Sequence, residues 1–534
     1  MNHEKEDCFA VNYRVVILTA GKGSRLGNRT TWFNKCLLKV GDKAVISHTV
    51  DAFPAATEFI IALGYKGSIV RQYLELTYPE RKFIFVEIDK YSEPGSGPGY
   101  ALKKCEEYLQ CPFYFVSCDA IIDWDIVRNV HVNWASYSKI DIKDTEEYCT
   151  IRNSYAHIEW IFNKSKHGTD NAFTGVAFVK EYKNFWNEFE NVVPSVDEEI
   201  QVAPTILKMK DTVAIEVNWW DTGCEKGLQL ARRHFRGLQN LDKEDEEIYF
   251  VDNAVVKYFH NENMVKSRVV RANYLGDTIP KLLNSTKNFY KYEYLQGKDL
   301  FVVDKQHELI EPLLCFAKEN LWKNIQLSSI EKLIFKDACR DFYYKKTLSR
   351  LNKLYEKLNI VDREDIINGQ SIPKVEEIFK LVDWDWLCDG FCSGFHGDWN
   401  LSNILLIEQK AHQTFKFVDW RQDFAGLIEY GDRYYDFGKM YHSFLMPHPS
   451  VKNNQFSIIA CDGLVETNIE ISDVFQKAKC VFEKWVVEEG YDLKKIKVLT
   501  GIILLNMAPL HENPLDKYLF YFAKQNLYNA INDR

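Results

Sequence analysis

Three glycines and two basic residues fall within seven positions, directly after a run of apolar residues. The stretch from Leu18 to Gly27 reads LTAGKGSRLG and follows Arg14-Val15-Val16-Ile17. Glycine amides can turn toward a common centre, a row of such amides binds anionic oxygens, and Lys22 and Arg25 add full positive charge. The pattern predicts a phosphate-binding loop. It is neither a P-loop nor a dinucleotide fingerprint, since Leu26 stands where the latter needs glycine. A glycine-rich turn with solvated basic side chains is the alternative.

Two acidic residues could complete such a site. Asp119 follows the apolar run from Phe113 to Cys118, and Asp221 precedes a glycine in WWDTG. A carboxylate at the end of a strand can hold a divalent cation against phosphates, although Asp119 alone is equally suited to a turn or a helix cap. Lys35, close behind the glycine-rich loop, could reach a phosphate or the reacting oxygen.

The elements around these residues alternate between strands and helices. We predict strands at Val15–Thr19, Glu58–Leu63, Lys82–Ile88 and Pro112–Cys118, and helices at Ala44–Phe53, Ser68–Thr77 and Tyr100–Leu109. Short continuous apolar strands that alternate with helices indicate a parallel sheet covered on both faces. Such sheets bind ligands at the carboxyl ends of their strands, where the glycine-rich loop and Asp119 both lie.

Together these motifs resemble the sugar-phosphate nucleotidyltransferase family, which includes cytidylyltransferases acting on phosphocholine-like compounds. The segments IALGYK, from Ile61, and GSGPGYAL, from Gly95, add to the resemblance, which covers about residues 13–240. It implies an α/β domain, residues 1–242, with a doubly wound, mixed but mainly parallel sheet. The family usually has proline before the lysine, where this chain has Asn34.

The resemblance also implies the roles of individual residues. Arg25 and Lys35 would act in catalysis, and Asp119 and Asp221 would hold Mg²⁺ while a substrate phosphate attacks the NTP. CTP is the expected nucleotide, with UTP and GTP left open. The residues implied in nucleotide binding are Leu18, Ala20, Gly21, Lys22, Gly23, Gly97 and Gly99.

A second set of catalytic residue types lies in the other half of the chain. The segment FHGDWNLSN contains Asp398 and, five residues later, Asn403; Asp419 follows sixteen residues further on in FVDW. In phosphoryl transfer an aspartate can accept the hydroxyl proton while an asparagine and a second aspartate hold Mg²⁺. Two loops with ordinary polar residues are the alternative.

These residues resemble the aminoglycoside phosphotransferase and choline kinase family, a branch of the protein-kinase-like fold, over about residues 245–450. The resemblance implies a two-lobed α+β domain, with a small lobe at 243–305 and a helical lobe at 306–534. Lys257 would bind ATP phosphates, and Glu293 and Tyr294 would lie in the nucleotide-binding hinge. The glutamate that relatives pair with the lysine is missing, since Arg271-Ala272-Asn273 stands near its place.

The composition restricts the remaining possibilities. The 534 residues carry a net charge of −9 without a long basic run, so no nucleic-acid partner is expected. Thirteen cysteines without a C-x-x-C pair, a charged N-terminus and the lack of a ~20-residue apolar stretch predict a cytoplasmic protein without membrane insertion. The oligomeric state stays open.

The whole chain is therefore predicted to be a bifunctional enzyme. Its second half would use ATP to phosphorylate a small hydroxyl compound, such as choline or another amino-alcohol. Its first half would join that phosphate to a nucleotide, giving a precursor for surface polysaccharide or lipid decoration. The alternative is a sugar-1-phosphate nucleotidyltransferase whose second half is an independent enzyme or a regulatory pseudokinase.

Overall fold

The structure is a computed structural model, and it describes residues 13–127, 130–192, 200–209, 211–237, 245–409 and 412–533. The chain forms two compact units. Unit 1 comprises Met1–Glu262 and Leu283–Tyr292, and unit 2 comprises Asn263–Leu282 and Glu293–Arg534. The boundary predicted at residues 242 and 243 falls outside the described residues and stays a prediction.

The strands that lie wholly or mostly in unit 1 begin with the buried runs expected from the sequence. In chain order they are β1 (Arg14–Leu18), β2 (Lys39–Val40), β3 (Lys43–Ala44), β4 (Glu58–Leu63), β5 (Lys82–Glu87), β6 (Phe113–Ser117), β7 (Ala120–Ile122), β8 (Trp134–Lys139), β9 (Cys149–Ser154), β10 (His157–Asn163), β11 (Asn171–Val179), β12 (Val213–Glu216), β13 (Trp219–Asp221), β14 (Glu246–Val251), β15 (Ala254–Phe259), β16 (Leu282–Ser285) and β17 (Phe289–Glu293).

Nine of these strands form one sheet in the order β5-β4-β1-β6-β11-β8-β12-β10-β9. Among the neighbouring pairs described, β5–β4, β4–β1, β1–β6 and β8–β12 run parallel and the other four run antiparallel. The prediction of a mixed sheet is confirmed, but "mainly parallel" is wrong for the sheet as a whole. Hairpin strands such as β10 are largely exposed, so their sequences lack the continuous apolar run by which a buried parallel strand is recognised.

Helices of unit 1 cover the sheet; the second agrees with its predicted range, whereas the first and third are shorter than predicted. They are α1 (Val45–Val50), α2 (Gly67–Thr77), α3 (Pro98–Lys104), α4 (Tyr182–Phe189), α5 (Ala203–Lys208) and α6 (Glu225–His234). The prediction of one helix to Leu109 is corrected: α3 ends at Lys104, and a 3₁₀ turn at Glu106–Tyr108 follows. Strands β14 and β15 form a hairpin, which belongs to a four-stranded sheet in the order β14-β15-β17-β16.

Unit 2 is mainly helical and also contains several short strands. Its helices are α7 (Glu262–Leu275, whose first residue belongs to unit 1), α8 (Ile310–Asn320), α9 (Ser329–Arg340), α10 (Lys346–Leu358), α11 (Val375–Leu381), α12 (Trp384–Cys388), α13 (Arg433–Leu445), α14 (His448–Lys452), α15 (Asp473–Glu488), α16 (Leu493–Met507) and α17 (Leu515–Asn532). Its strands are β18 (Lys298–Asp299), β19 (Asp365–Ile367), β20 (Gln370–Ile372), β21 (Cys392–Ser393), β22 (Ile404–Gln409), β23 (His412–Phe417), β24 (Gly431–Asp432), β25 (Phe456–Cys461) and β26 (Leu464–Ile469).

A π-helical turn at Asp341–Lys345 joins α9 to α10 without a break in the helical backbone. Strands β22 and β23 form the hairpin between Asn403 and Asp419, so both residues lie at the same end of that hairpin. Within the described ranges, no helix is both long and apolar enough to cross a membrane.

Candidate active sites

The glycine-rich loop leaves the carboxyl end of β1 as predicted. Gly23 has a left-handed backbone (φ 68°) and precedes a 3₁₀ helix at Ser24–Thr30. A Cβ at Gly23 would lie 3.2 Å from Cβ and Cδ of Lys35, so the Lys35 side chain runs directly across the loop. Lys22 and Arg25 are exposed, as a loop that meets a soluble anion requires.

Asn34 replaces the proline of the resembled family and ties this region together. Its amide nitrogen donates to the backbone oxygens of Thr19 and Tyr65, each at 2.7 Å, while its Oδ1 accepts from the Cys36 amide at 3.0 Å. Asn34 is fully buried. The side chain thereby joins the end of β1 to the turn after β4, and it caps the 3₁₀ turn that carries Lys35.

The remaining nucleotide-binding candidates of unit 1 lie on both sides of this loop. Leu18 ends β1, and the Ala20 backbone oxygen accepts from the Tyr65 amide at 2.9 Å. Gly97 (φ 117°) precedes α3, which packs against β1. The Gly99 amide donates to the Ile200 oxygen at 2.8 Å, and a Cβ at Gly99 would collide with Ile200. Gly21 has open space around its Cα.

The two acidic residues, 102 positions apart in sequence, meet in space. Strand β13 pairs antiparallel with β7, with Asp221 opposite Ala120, and the Thr222 amide donates to the Asp119 backbone oxygen at 2.8 Å. Gly223 lies between the side chains: a Cβ there would be 2.7 Å from Asp119 Oδ2, 3.0 Å from Asp221 Oδ1 and 3.1 Å from Arg25 Nη2. Three predicted residues therefore converge on a glycine that sequence analysis left without a role.

Each carboxylate has its own polar partners. Lys35 Nζ lies 2.5 Å from Asp119 Oδ2, and Ser117 Oγ donates to Asp119 Oδ1 at 2.5 Å. Asp221 accepts from the Tyr148 hydroxyl at 2.9 Å and from the Gly223 amide at 2.8 Å. No sequence signal marks Tyr148, because its contact with Asp221 joins residues 73 positions apart, whereas Ser117 lies only two residues before Asp119.

Electrostatics separate the two acids. Burial alone would raise the pKa of Asp119, but the Lys35 ammonium and the hydrogen bonds from Lys35 and Ser117 lower that pKa to about 2. Burial first, and then the Asp119 charge, raise the pKa of Asp221. Burial lowers the pKa of Lys35, but the pull of Asp119 outweighs it and the net shift is upward. Of the two carboxylates, Asp221 is thus the one whose ionisation is unfavourable in the absence of a cation.

This pair fits the Mg²⁺ that the resembled family implies. Mg²⁺ commonly uses one or two carboxylates together with substrate phosphates, and two carboxylates beside one glycine provide that protein share. The like-charge repulsion on Asp221 is what a divalent cation would relieve. In the described part of the chain, no cluster of three or more His, Cys, Asp or Glu side chains forms a metal cage.

In unit 2, the structure also brings together the predicted residues of the loop before β22. Asn403 Nδ2 donates to the Asp398 backbone oxygen at 2.9 Å and to its Oδ2 at 3.2 Å. The Val418 backbone amide donates to the backbone oxygen of Asn403 at 2.9 Å, and this bond places the next residue, Asp419, beside the loop. Asp419 has a left-handed backbone (φ 60°), an uncommon conformation for an aspartate.

Three basic side chains without a role in the sequence analysis contact this loop or Asp419 beside it. Lys439 on α13 contacts Asp398 Oδ1 at 2.7 Å; burial would raise the pKa of Asp398, but Lys439 lowers it to about 2. Arg268 on α7 lies 3.4 Å from Asp419 Oδ1. Arg271, also on α7, donates to the Phe395 oxygen at 2.5 Å and stacks 3.8 Å from the centre of that ring. The helix expected to supply a glutamate presents arginines instead.

Asp436 on α13 holds the backbone of the same loop. Its carboxylate accepts from the amides of His396 and Gly397 at 2.8 and 2.7 Å and from Trp322 Nε1 at 3.0 Å. Full burial raises the pKa of Asp436 to about 6 despite these bonds. The loop that carries Asp398 is therefore fixed by side chains from several helices.

The described contacts of the other predicted ATP-binding residues do not indicate a nucleotide site. Lys257 is buried on β15 in unit 1, opposite Ile248 in the hairpin. Glu293 exchanges two hydrogen bonds with the Lys281 backbone, at 2.9 and 3.0 Å. Tyr294 is half-exposed. The roles of all three stay predictions.

Comparison with known proteins bears on the first half of the chain. Residues 15–143 match the family described as "MobA-like NTP transferase domain". The "Bifunctional protein GlmU" of Methanococcus vannielii is 25% identical over 239 residues, 42% of this chain and 55% of its own length. "Mannose-1-phosphate guanyltransferase" of Neurospora crassa is 31% identical over 116 residues, 21% of this chain and 31% of its own.

Among solved structures, a putative glucose-1-phosphate thymidylyltransferase from Bacillus anthracis is 22% identical, with a TM-score of 0.36, and the match covers 43% of this chain and 98% of that one. The chain spans about half the length of the GlmU relatives and about a third of the guanyltransferases. Residues 15–143 are thus similar to MobA-like NTP transferase domains, and the kinase-like assignment of the second half stays a prediction.

Proposed function

We propose that unit 1 transfers a nucleotidyl group from an NTP to the phosphate of a small sugar or alcohol phosphate. The observation that carries the proposal is the convergence of Asp119, Asp221, Arg25 and Lys35 at the strand ends beside the glycine-rich loop. The name of one relative, mannose-1-phosphate guanyltransferase, supports a sugar 1-phosphate as one class of acceptor.

The reaction needs positioning and charge neutralisation rather than a protein base. A phosphate oxygen of the acceptor attacks the α-phosphorus, the bond from that phosphorus to the oxygen bridging to the β-phosphorus breaks, and pyrophosphate leaves with the electron pair. Loop amides and Lys22 would hold the triphosphate, while Arg25 and Lys35 would face the charge that develops on the α-phosphate. Mg²⁺, when held by Asp119 and Asp221, would neutralise triphosphate charge.

The test is a matrix of CTP, UTP, GTP and ATP against glucose 1-phosphate, mannose 1-phosphate and phosphocholine, read as pyrophosphate release. We expect CTP to be the preferred nucleotide and Asp119→Ala to abolish release. Asp170→Ala is the matched control, because Asp170 pairs at the surface with Lys139. Unaltered release by Asp119→Ala would refute the assignment.

We also propose that unit 2 phosphorylates a small hydroxyl compound with ATP. The contacts among Asp398, Asn403 and Lys439 support this, because they hold a carboxylate ionised at the end of an ordered loop. The acceptor oxygen would attack the γ-phosphorus, its proton would pass to Asp398, and ADP would leave. Asn403 and Asp419 offer the amide and carboxylate oxygens that suit Mg²⁺.

One purified chain, given ATP, CTP, Mg²⁺ and the free alcohol, should then yield the nucleotide-linked product. Asp398→Asn should stop formation of ADP and leave nucleotidyl transfer to the preformed phosphate intact. If Asp398→Asn leaves turnover from the free alcohol unchanged, the second candidate is favoured, in which unit 2 is an independent or regulatory domain beside a sugar-1-phosphate nucleotidyltransferase.

A further inference from the structure

Four basic side chains cluster near Asp398, and only one of them has an acidic partner. Lys346 and Arg350 come from α10, Arg421 from the segment after β23, and Lys439 from α13. Lys439 pairs with Asp398, and Arg350 donates to the Asn506 backbone oxygen at 3.0 Å. Within the described ranges, no carboxylate lies within ion-pair distance of Lys346, Arg350 or Arg421.

Two of these cations share one aromatic ring. Lys346 Nζ lies 3.8 Å from the centre of the Phe342 ring, and Arg421 Cζ lies 4.7 Å from it. Neither side chain makes a hydrogen bond to a described residue, and Arg421 Nε is buried without a partner. A buried guanidinium nitrogen without an acceptor is costly, so an absent anionic partner is its simplest explanation.

The position of the pair is fixed next to the proposed catalytic aspartate. A Cβ at Gly397 would lie 2.7 Å from Cβ and 3.2 Å from Cδ of Arg421, so that side chain runs along the residue before Asp398. Phe342 lies in the π-helical turn, which ends directly before Lys346. π-Helical turns are rare and often occur at functional sites, because they shift a few side chains out of the α-helical pattern.

The pKa of Lys346 is lowered, as expected for a lysine that lacks an anionic partner. Burial first, and then repulsion from Arg421, Arg350 and Lys439, lower the pKa of Lys346 to about 5, against the attraction of Asp398. The cation–π contacts with Phe342 and Tyr435 do not offset this cost. An anion between Lys346 and Arg421 would restore the ordinary charge of the lysine.

We propose that the compound phosphorylated by unit 2 carries a negatively charged group of its own, a carboxylate or a phosphate, which Lys346 and Arg421 bind beside Asp398. This rests on the proposed phosphotransferase function, and it replaces the expectation of a choline-like cation. The transfer itself is unchanged: the acceptor hydroxyl takes the γ-phosphoryl group, its proton goes to Asp398, and ADP leaves.

The first experiment measures binding of an anion without any reaction. Sulfate is titrated at constant ionic strength, and the unfolding temperature is followed for wild type, Lys346→Met, Arg421→Gln and the exposed control Lys380→Gln. We expect sulfate to stabilise wild type and the control, and to have less than half that effect in the other two variants. Without sulfate, Lys346→Met should unfold about 2 °C or more above wild type, because it removes a buried amine that has no hydrogen-bond partner and whose protonation the neighbouring basic groups oppose.

A purely structural cation–π contact predicts the reverse, namely a lower unfolding temperature for Lys346→Met and equal sulfate effects in all four proteins. That result would overturn the proposal. The sulfate response does not depend on catalysis, so it can fail while ADP formation stands, or stand while ADP formation fails.

The second experiment compares acceptors that differ in one charged group: glycerate with glycerol, glucuronate with glucose, and glucose 6-phosphate as the phosphate arm, with choline as the cation. The anionic member of each pair should give a kcat/KM for ADP formation about tenfold or more above that of the neutral member. Arg421→Gln should reduce this ratio to near one, whereas the exposed control Lys380→Gln should keep it. Preference for choline or a neutral acceptor would overturn the proposal. So would a rise in the KM for ATP in Arg421→Gln that is independent of the acceptor, since the cluster would then bind the nucleotide.

Discussion

Replacing the two acids of unit 1 by asparagine should abolish activity in both cases but change stability in opposite directions. Asp221 is destabilising without a cation, because burial and the neighbouring Asp119 charge both oppose its ionisation. In Asp221→Asn, Oδ1 can still accept from the Gly223 amide, and Nδ2 can donate to the Tyr148 oxygen. The variant therefore removes a repulsive charge and keeps the hydrogen bonds.

The size of the effect follows from the geometry. A Cβ at Gly223 would lie 2.7 Å from Asp119 Oδ2 and 3.0 Å from Asp221 Oδ1, so these oxygens are less than about 6 Å apart. At that separation two unit charges repel by roughly 3 kcal/mol at an effective dielectric constant of about 20. The two hydrogen bonds to Asp221 already offset part of this repulsion, so we expect Asp221→Asn to raise the free energy of unfolding by about 1 kcal/mol. Asp119→Asn should instead lower it by about 3 kcal/mol, because it leaves the mostly buried Lys35 ammonium without its counter-ion.

Urea denaturation of each variant, followed by tryptophan fluorescence, measures the transition midpoints, and pyrophosphate release measures activity. Asp170→Asn, at an exposed ion pair, should change the free energy of unfolding by less than about 0.5 kcal/mol. Mg²⁺ should raise the midpoint of wild type more than that of either acid variant. Equal destabilisation by Asp119→Asn and Asp221→Asn would refute the reasoning, because the two carboxylates would then be equivalent.

Three further changes test the geometry. Gly223→Ala should reduce pyrophosphate release at least about 100-fold with the fold intact by circular dichroism, since its Cβ would lie 2.7 Å from Asp119 Oδ2; near-normal release would show that the acids need not converge there. Asn34→Ala should lower the free energy of unfolding in urea by about 3 kcal/mol, because it removes three hydrogen bonds of a fully buried amide; a loss below about 1 kcal/mol would contradict that role. The pKa of Asp436 is raised to about 6, so its contribution to stability is fully present below about pH 4 and is lost as the pH rises through 6. As the pH falls from above 6 to 4, the free energy of unfolding of wild type should therefore rise by up to roughly 3 kcal/mol relative to that of Asp436→Asn. A pH-independent difference in unfolding free energy would show that Asp436 is not titrating in the folded protein.

The strands that could be predicted from the sequence are mainly those buried on both faces. Strands β1, β4 and β6 are buried on both faces, so each appears as a continuous apolar run, and their carboxyl ends define the edge where a ligand binds. Strand β10 exposes most of its residues, including Trp160 at 62%, and β19 and β20 have three residues each. Short or one-sided strands owe their conformation to their partners, so no local pattern predicted them.

The candidate sites divide in the same way. Asp119, Lys35 and the glycine-rich loop lie near the ends of buried strands, and the spacing within FHGDWNLSN places Asp398 and Asn403 on one loop. The partners that set their charge come from elsewhere: Tyr148 lies 73 residues from Asp221, and Arg268 lies 151 residues from Asp419. Such contacts depend on how strands pair and helices pack, which residue spacing does not encode.

The chain as a whole is acidic, with a net charge of −9, yet Lys346 and Arg421 lie near Asp398 and form no ion pair with a described carboxylate. Net charge describes solubility and long-range attraction, whereas the charge inside a pocket is set by the few side chains that packing brings there. A folded protein with a surplus of acids could have neutralised these cations at little cost. These basic groups on α10 and after β23 instead stay unpaired beside Asp398, which is proposed to accept the hydroxyl proton. Their unpaired state is therefore an argument for an anionic substrate.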